Sequence, residues 1–490
     1  MMLLVALLLV PLIAGLACVV IRSTRWLERV NLLAFLGVAG LAVALAREVL
    51  GRGPVKAWNG FLYADALSAL VILLTAFVSL ACGVYAVGYF RFDRQNLKAG
   101  SRQVRRYYAL TPLFVFTMLL VTLANNLGVM WVALEGTGLA CVLLIAFYNE
   151  KTSLEAAWKY IIIGSVGIAL ALFGTILTYY SAAATSVVPE GMGMNWSWLV
   201  TSAEKFDPAA MRLGFVMVLL GYGTKAGLAP MHTWKPDAYA EAPIPAAALL
   251  GAGLLNCALY GILRFYVLAS KCLGTEFPGQ LLLVFGLASM MVAVPFVVVQ
   301  RNYRRLLAYS SIEHAGIMVT AVGFGGKLGM LGAMLHMVFH ATTKPLLFFC
   351  AGNIQQHFGT PYSRKVRGAI RAMPLTGGLL ILVTLAVAAV PPFGLFQSEF
   401  TILAGGFAAN HPLLGGLFMI CAVAIFAGFL QHIVHLTFGS GGDTPTAIIC
   451  PWKNGAMLAL AVGIVVIGFH LPESVFQLVQ AAAGVIGGAQ

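Results

Sequence analysis

Ionisable side chains lie inside several long apolar stretches of this sequence. Glu135 stands in VMWVALEGTGLACVLLI, Lys225 in LLGYGTKAGLAP and Glu399 in AAVPPFGLFQSEFTIL. A charged side chain in the apolar interior of a membrane costs roughly 3 kcal/mol or more, so such a residue is a functional candidate. A carboxyl or amino group in this position can gain and release a proton when burial is balanced by a nearby opposite charge. These three residues are therefore candidate proton carriers.

A further group of ionisable residues follows a helical spacing. His336, His340 and Lys344 occur in LHMVFHATTKPLLFF at positions i, i+4 and i+8, so one helix face would carry all three over about 12 Å. Histidine both donates and accepts protons and titrates near neutral pH. The stripe therefore predicts a proton relay. Zinc binding by the two histidines is an alternative, but the sequence offers no third ligand nearby, and we expect no metal.

Each of these residues also has a purely structural explanation. Glu135 could be a neutral, hydrogen-bonded carboxyl group, and Lys225 could form a static salt bridge with a carboxylate elsewhere in the chain. If Glu135 and Lys225 pair with each other, the structural and the functional explanation both apply, because such an ion pair could open and close. His314 and Lys159 begin their apolar stretches, where a proton-uptake role and an interfacial anchor are both open alternatives.

The composition identifies the class of protein. The 490 residues are 60% hydrophobic and only 10% charged, against roughly 25% charged in a soluble domain, and apolar stretches of about 20 residues recur along the chain. Strand-like alternation is absent, so the sequence predicts an all-α polytopic membrane protein in contact with lipid. The formal net charge of +13 is explained by loop lysines and arginines that set membrane orientation, and no nucleic-acid partner is expected.

Cofactor motifs are missing from the sequence. The eight cysteines are scattered singly, which argues against a zinc site, an iron–sulfur cluster or a disulfide framework. The glycine pairs match no nucleotide-binding loop. We therefore expect the chain to bind no cofactor and to have no catalytic site of its own.

The hydropathy pattern predicts about fourteen membrane-spanning helices. The first is not preceded by a basic segment, so we interpret it as a membrane helix rather than a cleaved signal. Loops after odd-numbered helices hold most of the arginines, which places these loops in the cytoplasm and both termini on the periplasmic or outer side. The predicted helices cover residues 2–21, 30–48, 62–88, 108–125, 127–148, 155–180, 210–230, 244–268, 279–299, 305–325, 328–351, 374–408, 412–438 and 454–471.

Prolines interrupt two of the predicted helices. Four of them, from Pro230 to Pro245, break the seventh, and Pro391 and Pro392 break the twelfth. Broken helices in corresponding positions of two halves point to an ion pathway between inverted repeats. The predicted division is a single transmembrane domain over 1–490, with helices 1–3 in 1–106, helices 4–8 as a first repeat in 107–270, helices 9–13 as a second repeat in 271–440, and helix 14 with a C-terminal tail in 441–490.

Several longer motifs resemble a known family. They are TKAGLAPMHTWKPDAYAEAP at 224–243, RRLLAYSSIEHAGI at 304–317, HMVFHATTKPLLFFCAGNI at 336–354 and PPFGLFQSEF at 391–400, with the spacing from Trp131 to Glu135. The chain resembles the antiporter-like proton-channel family shared by respiratory complex I, Mrp-type sodium/proton antiporters and group 4 membrane-bound hydrogenases. KYIIIGSVGIAL and LLNCALYGILRF look most like component F of hydrogenase-4 and formate hydrogenlyase-type complexes.

The resemblance implies a 14-helix core with two inverted five-helix repeats, and it implies roles for the ionisable residues. Glu135 and Lys225 would be the charge pair of helices 5 and 7. His232 and Asp237 would belong to the polar loop of the seventh-helix break. The stripe of two histidines and a lysine would carry protons along the membrane interior, and Glu399 would face the outlet.

The chain also departs from this family at several positions. Asn256 stands where some relatives carry a lysine in helix 8, so that relay position cannot titrate. Lys235 and Tyr239 replace the commoner leucine and histidine of the break loop, and Pro345 directly follows Lys344. We expect the chain to lack the long lateral helix of the most distal complex I subunit, which argues against that identity.

These observations predict a proton-translocating membrane subunit of a multi-subunit redox complex of the group 4 hydrogenase type, in the inner membrane of a prokaryotic cell. The expected partners are other membrane subunits and a peripheral redox module on the cytoplasmic side, which would hold nickel–iron and iron–sulfur centres. The main alternative is an antiporter-like subunit of a complex I or Mrp-type assembly, with sodium as a second possible cargo. A non-conducting scaffold and a transporter for an organic solute are further alternatives.

Overall fold

The chain folds into a bundle of helices with one short β-hairpin. The computed structural model describes residues 2–185, 193–439 and 450–488. The hairpin pairs β1 (Val55–Ala57) with β2 (Leu62–Ala64) in antiparallel fashion. The helices are α1 Met2–Val20, α2 Thr24–Arg52, α3 Ala66–Gln95, α4 Ser101–Leu123, α5 Leu127–Ile145, α6 Lys151–Ala183, α7 Trp196–Ser202, α8 Pro208–Ala226, α9 Trp234–Glu241, α10 Ile244–Leu249, α11 Leu255–Leu273, α12 Glu276–Val299, α13 Tyr303–Phe324, α14 Gly326–Phe358, α15 Ala369–Ala372, α16 Pro374–Val387, α17 Gly394–Ala408, α18 Pro412–Thr437, α19 Pro451–Phe469 and α20 Glu473–Ile486.

Many of these helices suit a membrane. Within the described ranges, ten segments are long and apolar enough to cross it, with α10 and α11 counted as one through the π-helical turn Leu250–Leu254. The helices α13 and α14 carry ionisable residues that lower their hydropathy, and α16 and α17 are short. The chain is therefore a multi-pass membrane protein with an all-helical core, while the number of fourteen spans, the repeat boundaries and the inverted symmetry remain predictions.

Both predicted helix breaks are present. The chain leaves helical geometry after Ala226, where Gly227 adopts a left-handed conformation with φ +78°, and resumes it at the start of α9. The second break separates α16 from α17 and contains Pro391 and Pro392. Each proline lacks an amide hydrogen to donate and crowds the preceding turn, so two in succession disfavour a continuous helix at this point.

Several predicted boundaries were wrong. The segment 62–88 begins with β2 rather than with a helix, since α3 starts at Ala66. The helices α3 and α4 extend towards each other, so Arg94 and Arg102 belong to helices and not to the connecting loop. A separate helix, α20, follows α19, where only a tail was predicted. The predicted boundary at 440/441 lies outside the described residues.

Close contacts between backbones determine how the helices around the buried charges pack. A Cβ atom added to Gly174 of α6 would lie 2.6 Å from the carbonyl oxygen of Gly214 in α8, and one added to Gly221 would lie 2.5 Å from the α6 backbone. On the other side of the bundle, a Cβ atom at Gly316 of α13 would lie 2.6 Å from the carbonyl oxygen of Gly286 in α12. Small residues allow membrane helices to approach this closely. Lys225 and Glu313 lie on the helices that these contacts hold.

A buried ion pair joins α11 to the start of α3. The guanidinium of Arg264 in α11 donates to both carboxylate oxygens of Asp65, at 2.6 and 2.7 Å, and to the hydroxyl of Ser68 at 2.9 Å. Asp65 also caps α3 by accepting from the Ser68 amide at 3.0 Å. The guanidinium carbon lies 4.1 Å from the centroid of the Trp196 ring in α7. One pair thus joins α3, α7 and α11.

We predict that removing either member of this buried pair strongly destabilises the protein. Asp65→Asn or Arg264→Met should each lower the free energy of unfolding by about 3–5 kcal/mol, because the remaining partner stays buried without its counter-charge. The double variant should lose less than the sum of the two single variants, since the groups are coupled. Thermal unfolding in mild detergent measures these losses, with Lys205→Ala, at an exposed position after α7, as the control; additive losses contradict the coupling.

Candidate functional site

The first buried charge pair joins α5 to α8. Lys225 lies in the last turn of α8 and is 3% exposed, and its Nζ is 3.6 Å from Oε2 of Glu135. Gly138 leaves the space for this ammonium, because a Cβ there would lie 2.5 Å from Nζ. The ring centroid of Tyr160 is 5.2 Å from Nζ, within the range of a cation–π interaction. The two charges are in contact at a distance longer than a charge-assisted hydrogen bond, so the pair is not locked.

A cavity of about 280 Å³ adjoins this pair between α5 and α6. Its wall combines Glu135 and Lys225 with small and apolar residues such as Gly164 and Leu139. The Glu135 side chain is 34% exposed, while Lys225 is enclosed, and Oε2 of Glu135 has no hydrogen-bond partner. Glu135 therefore lies between the enclosed lysine and the side of the bundle.

A second buried lysine lies in the break that follows α8, and the sequence analysis did not predict it as a site residue. Lys235 of α9 is fully buried, and its Nζ donates to the carbonyl oxygens of Ala226 at 2.7 Å and Ser311 at 3.4 Å. The carboxyl end of a helix carries partial negative charge and stabilises a cation there. A Cβ at Gly227 would lie 2.5 Å from the Lys235 side chain. The available signal was a lysine inside a proline-rich helix break.

Three histidines meet in the centre of the second half. Nδ1 of His314 and Nε2 of His336 are 2.9 Å apart, and Nδ1 of His336 is 3.0 Å from Oγ of Ser398 in α17. The rings of His314 and His340 lie 5.1 Å apart between centroids, and both ring nitrogens of His340 are buried without a partner. The predicted histidine stripe thus lies on one side of α14. His314 is an interior residue and not an interfacial anchor.

The stripe continues to Lys344 and to a small cavity at the second helix break. Nζ of Lys344 donates to Oγ of Ser310 at 2.8 Å, and α14 passes through Pro345 without ending. Ser310, Glu313 and Glu399 line a cavity of about 20 Å³ beside the end of α16. Glu313 is 6% exposed and was not predicted as a site residue. In SSIEHAGI it looked like part of a helix start, so its burial was not visible.

One group in the described part of the chain brings three potential metal ligands together. The ligand atoms of His314, His336 and Glu399 lie within 4.8 Å of one another, and imidazole and carboxylate groups suit zinc. The facing nitrogens of the two histidines, however, already form a hydrogen bond with each other. A metal would have to break that bond, whereas proton exchange uses it.

Lys159 and Asp237, two further residues singled out in the sequence, lie at or near the surface. Nζ of Lys159 is 2.7 Å from Glu155 and 3.0 Å from Asp237, and Asp237 is also 2.7 Å from Arg305. The Lys159 side chain is 46% exposed. This network holds α9 against α6 and α13, so the position of Lys159 matches the anchor alternative.

His232 and Asn256 are buried, and each has a polar atom without a hydrogen-bond partner. His232 lies in the turn between α8 and α9, is 8% exposed, and has no partner for Nδ1. Asn256 of α11 is fully buried and donates to the carbonyl oxygen of Ala252 at 2.9 Å, while its Oδ1 has no partner. An amide group does not titrate, so Asn256 can bind a water molecule but cannot carry a proton itself.

Solved structures support this arrangement of helices. The chain superposes on a subunit of the archaeal membrane-bound sulfane sulfur reductase with a TM-score of 0.88 and 24% identity, covering 99% of this chain and 98% of the other. It superposes on a chain of the Mrp complex from Dietzia sp. DQ12-45-1b with a TM-score of 0.87 and 18% identity, covering 99% and 97%. At these identities the likeness shows the fold.

Sequence comparison confirms the resemblance. The hydrogenase-4 component F homolog of Methylacidiphilum infernorum (isolate V4) is 37% identical over 447 residues, which cover 90% of this chain and 91% of that protein. The NADH-quinone oxidoreductase subunit N of Desulforudis audaxviator (strain MP104C) is 27% identical and covers 91% of this chain and 90% of its own. The family described as NADH:quinone oxidoreductase/Mrp antiporter, transmembrane, matches residues 124–428. The chain belongs to this family.

Proposed function

We propose that this chain is a proton-translocating membrane subunit of a multi-subunit, energy-converting redox complex of the group 4 hydrogenase type. The observation that carries the proposal is a series of buried titratable groups that runs from α5 to α17 through both helix breaks. Each such group costs free energy in a membrane interior unless it is used or compensated. The 37% identity to a hydrogenase-4 component F homolog over most of both chains favours the hydrogenase type.

The series of groups is joined by contacts on α13. Lys235 donates to the carbonyl oxygen of Ser311, and Lys344 donates to the hydroxyl of Ser310, so the two ammonium groups bind neighbouring residues. Lys235 also contacts the carbonyl oxygen of Ala226, which directly follows Lys225 in the chain. Lys235 therefore bridges the first half, with its charge pair, to the second half, with its histidines.

This arrangement suggests how a proton moves. When Glu135 takes up a proton or turns away, Lys225 loses its counter-charge in surroundings of low dielectric constant and gives up a proton more readily. Lys235 takes up the proton released by Lys225 after it has passed its own proton on towards Lys344, because an ammonium group cannot accept a second proton. The hydrogen-bonded histidines lead it to Glu399 in α17. No redox group takes part in these steps, so a partner subunit must supply the driving force.

The proposal includes the surroundings of the chain. We place it in the inner membrane of a prokaryotic cell, with the arginine-rich ends of α3 and α4 and the surface network around Asp237 on the cytoplasmic side. A peripheral module with nickel–iron and iron–sulfur centres would lie on that side, and further membrane subunits would contact the bundle. Glu135 is partly exposed beside the cavity between α5 and α6, so such a neighbour would influence the first charge pair there.

Purification of the tagged chain from its native membrane tests the type of complex. A hydrogenase-like large subunit with nickel and iron in the purified complex would support the proposal. Nicotinamide-dehydrogenase subunits with flavin and no nickel would replace it with a complex I assignment. Further antiporter subunits without metal would indicate sodium/proton exchange.

We predict that Glu135→Gln lowers proton translocation by at least about tenfold, because a positioned proton-transferring group typically contributes about 10²–10⁴-fold. The neutral amide leaves Lys225 permanently without its counter-charge. Glu135→Asp should retain part of the activity, and Glu473→Gln, at an exposed position in α20, is the matched control. Fluorescence quenching of a pH-sensitive dye in inverted membrane vesicles measures the uptake, with dye-linked redox activity as the reference. Normal uptake in Glu135→Gln would contradict the role of the pair and favour a scaffold.

We also predict that Lys235→Met stops transfer between the two halves. Methionine fills the volume beside Gly227 but cannot carry a proton, so uptake should fall by at least about tenfold, while the assembled complex keeps its dye-linked redox activity. Lys205→Met, at an exposed position after α7, is the control. If Lys235→Met translocates protons normally, protons pass between the halves by a path without this residue.

A further inference from the structure

Glu313 is a buried acid that the pathway described so far does not use. It lies in α13, is 6% exposed, and faces the small cavity at the break between α16 and α17. The ion pairs of the described residues do not include Glu313 or Glu399. A carboxyl group that is more than nine-tenths buried and unpaired needs a partner of another kind, because an isolated charge is expensive away from water.

The cavity has the size and lining for such a partner. Its volume of about 20 Å³ exceeds the roughly 10–15 Å³ that one water molecule requires. Ser310, Glu313 and Glu399 supply polar atoms, while Ile425 and Phe429 of α18 close it on the apolar side. A water molecule here would find several hydrogen-bonding groups. The site combines the acids of two different helices around one water position.

The charges around this cavity favour a proton rather than two free carboxylates. Two acidic groups that share one site cannot both ionise without mutual repulsion. Glu399 on α17 and Lys344 on α14 are the charged groups that act on Glu313, and Cys421 of α18 also lies within its electrostatic influence. His314 is its neighbour on α13.

We propose that Glu313 and Glu399 form a shared-proton site that receives protons from Lys344 through Ser310. The ammonium of Lys344 gives a proton to the Ser310 oxygen while the Ser310 hydroxyl passes its own proton through the cavity water to a carboxylate. Lys344 becomes neutral and the carboxylate becomes a neutral acid, so charge and protons balance. Glu399 also lies near His314 and His336, which makes the site the meeting point of the lysine and histidine branches. This inference rests on the proposed function.

The variants Glu313→Gln and Glu313→Asp test the shared-proton site in the intact complex. Glu313→Gln keeps the volume but removes the acid, so proton translocation in vesicles should fall by at least about tenfold; Glu313→Asp should recover a measurable part of it. The double variant Glu313→Gln with Glu399→Gln should be no worse than Glu399→Gln alone, because both acids serve one step. Dye-linked redox activity and thermal stability show whether the complex is assembled.

Infrared difference spectroscopy gives a second readout that a purely structural role would not change. The band of a protonated carboxyl group should disappear in Glu313→Gln or Glu399→Gln and persist in the control Glu473→Gln. Normal translocation and an unchanged band in Glu313→Gln, with Glu135→Gln defective, would overturn the shared-proton site alone. Normal translocation in both variants would overturn the proposed function as well. A requirement for sodium that Glu313→Gln abolishes would identify a sodium site instead of a shared proton.

Discussion

The need to compensate charge inside a membrane governs this structure. Three lysines lie in or beside the helix breaks, Lys225, Lys235 and Lys344, and each is at most 3% exposed. Their compensation differs, because Lys225 has Glu135, Lys235 has helix carbonyl groups, and Lys344 has a serine beside a pair of acids. The contrast is Asp65 with Arg264, whose short double hydrogen bond suits a fixed structural link. Among the described residues, only Lys225 of these three lysines has a carboxylate within ion-pair distance, at 3.6 Å, and none of the three has a double hydrogen bond to an acid.

Helix breaks provide polar partners for these buried charges. An intact helix satisfies its own backbone, while a broken one leaves carbonyl and amide groups that need other partners in the membrane. At the first break the free carbonyl of Ala226 binds Lys235. At the second, the end of α16 borders the cavity that Glu313 and Glu399 line. The prolines and Gly227 therefore do more than interrupt a helix, since they supply the polar surroundings in which a buried charge is tolerated.

The sequence predicted part of this site because some charges stand out against apolar neighbours. Glu135, Lys225, His336 and the helix breaks were visible in that way. Lys235 and Glu313 were not, since each lies in a segment with other polar residues, and only packing shows that these segments are interior. The same limit explains the missed β-hairpin and α20: short elements carry weak periodic signals. The sequence also did not indicate whether the His314 side chain lies in the interior or at the interface, because this depends on how α13 packs against α14.

The departures of this chain from its family acquire a physical meaning in the structure. Asn256 cannot titrate, and taken alone it would interrupt a relay along helix 8. Lys235 is fully buried and reaches α13, the helix that Lys344 also contacts. In the proposed pathway, a titratable group is thus supplied from the break loop instead of from the neighbouring helix. The two substitutions are best understood together, because a lysine at both positions would add another uncompensated cation. The proposed path can therefore remain complete when a titratable residue is missing from one helix and another element supplies one.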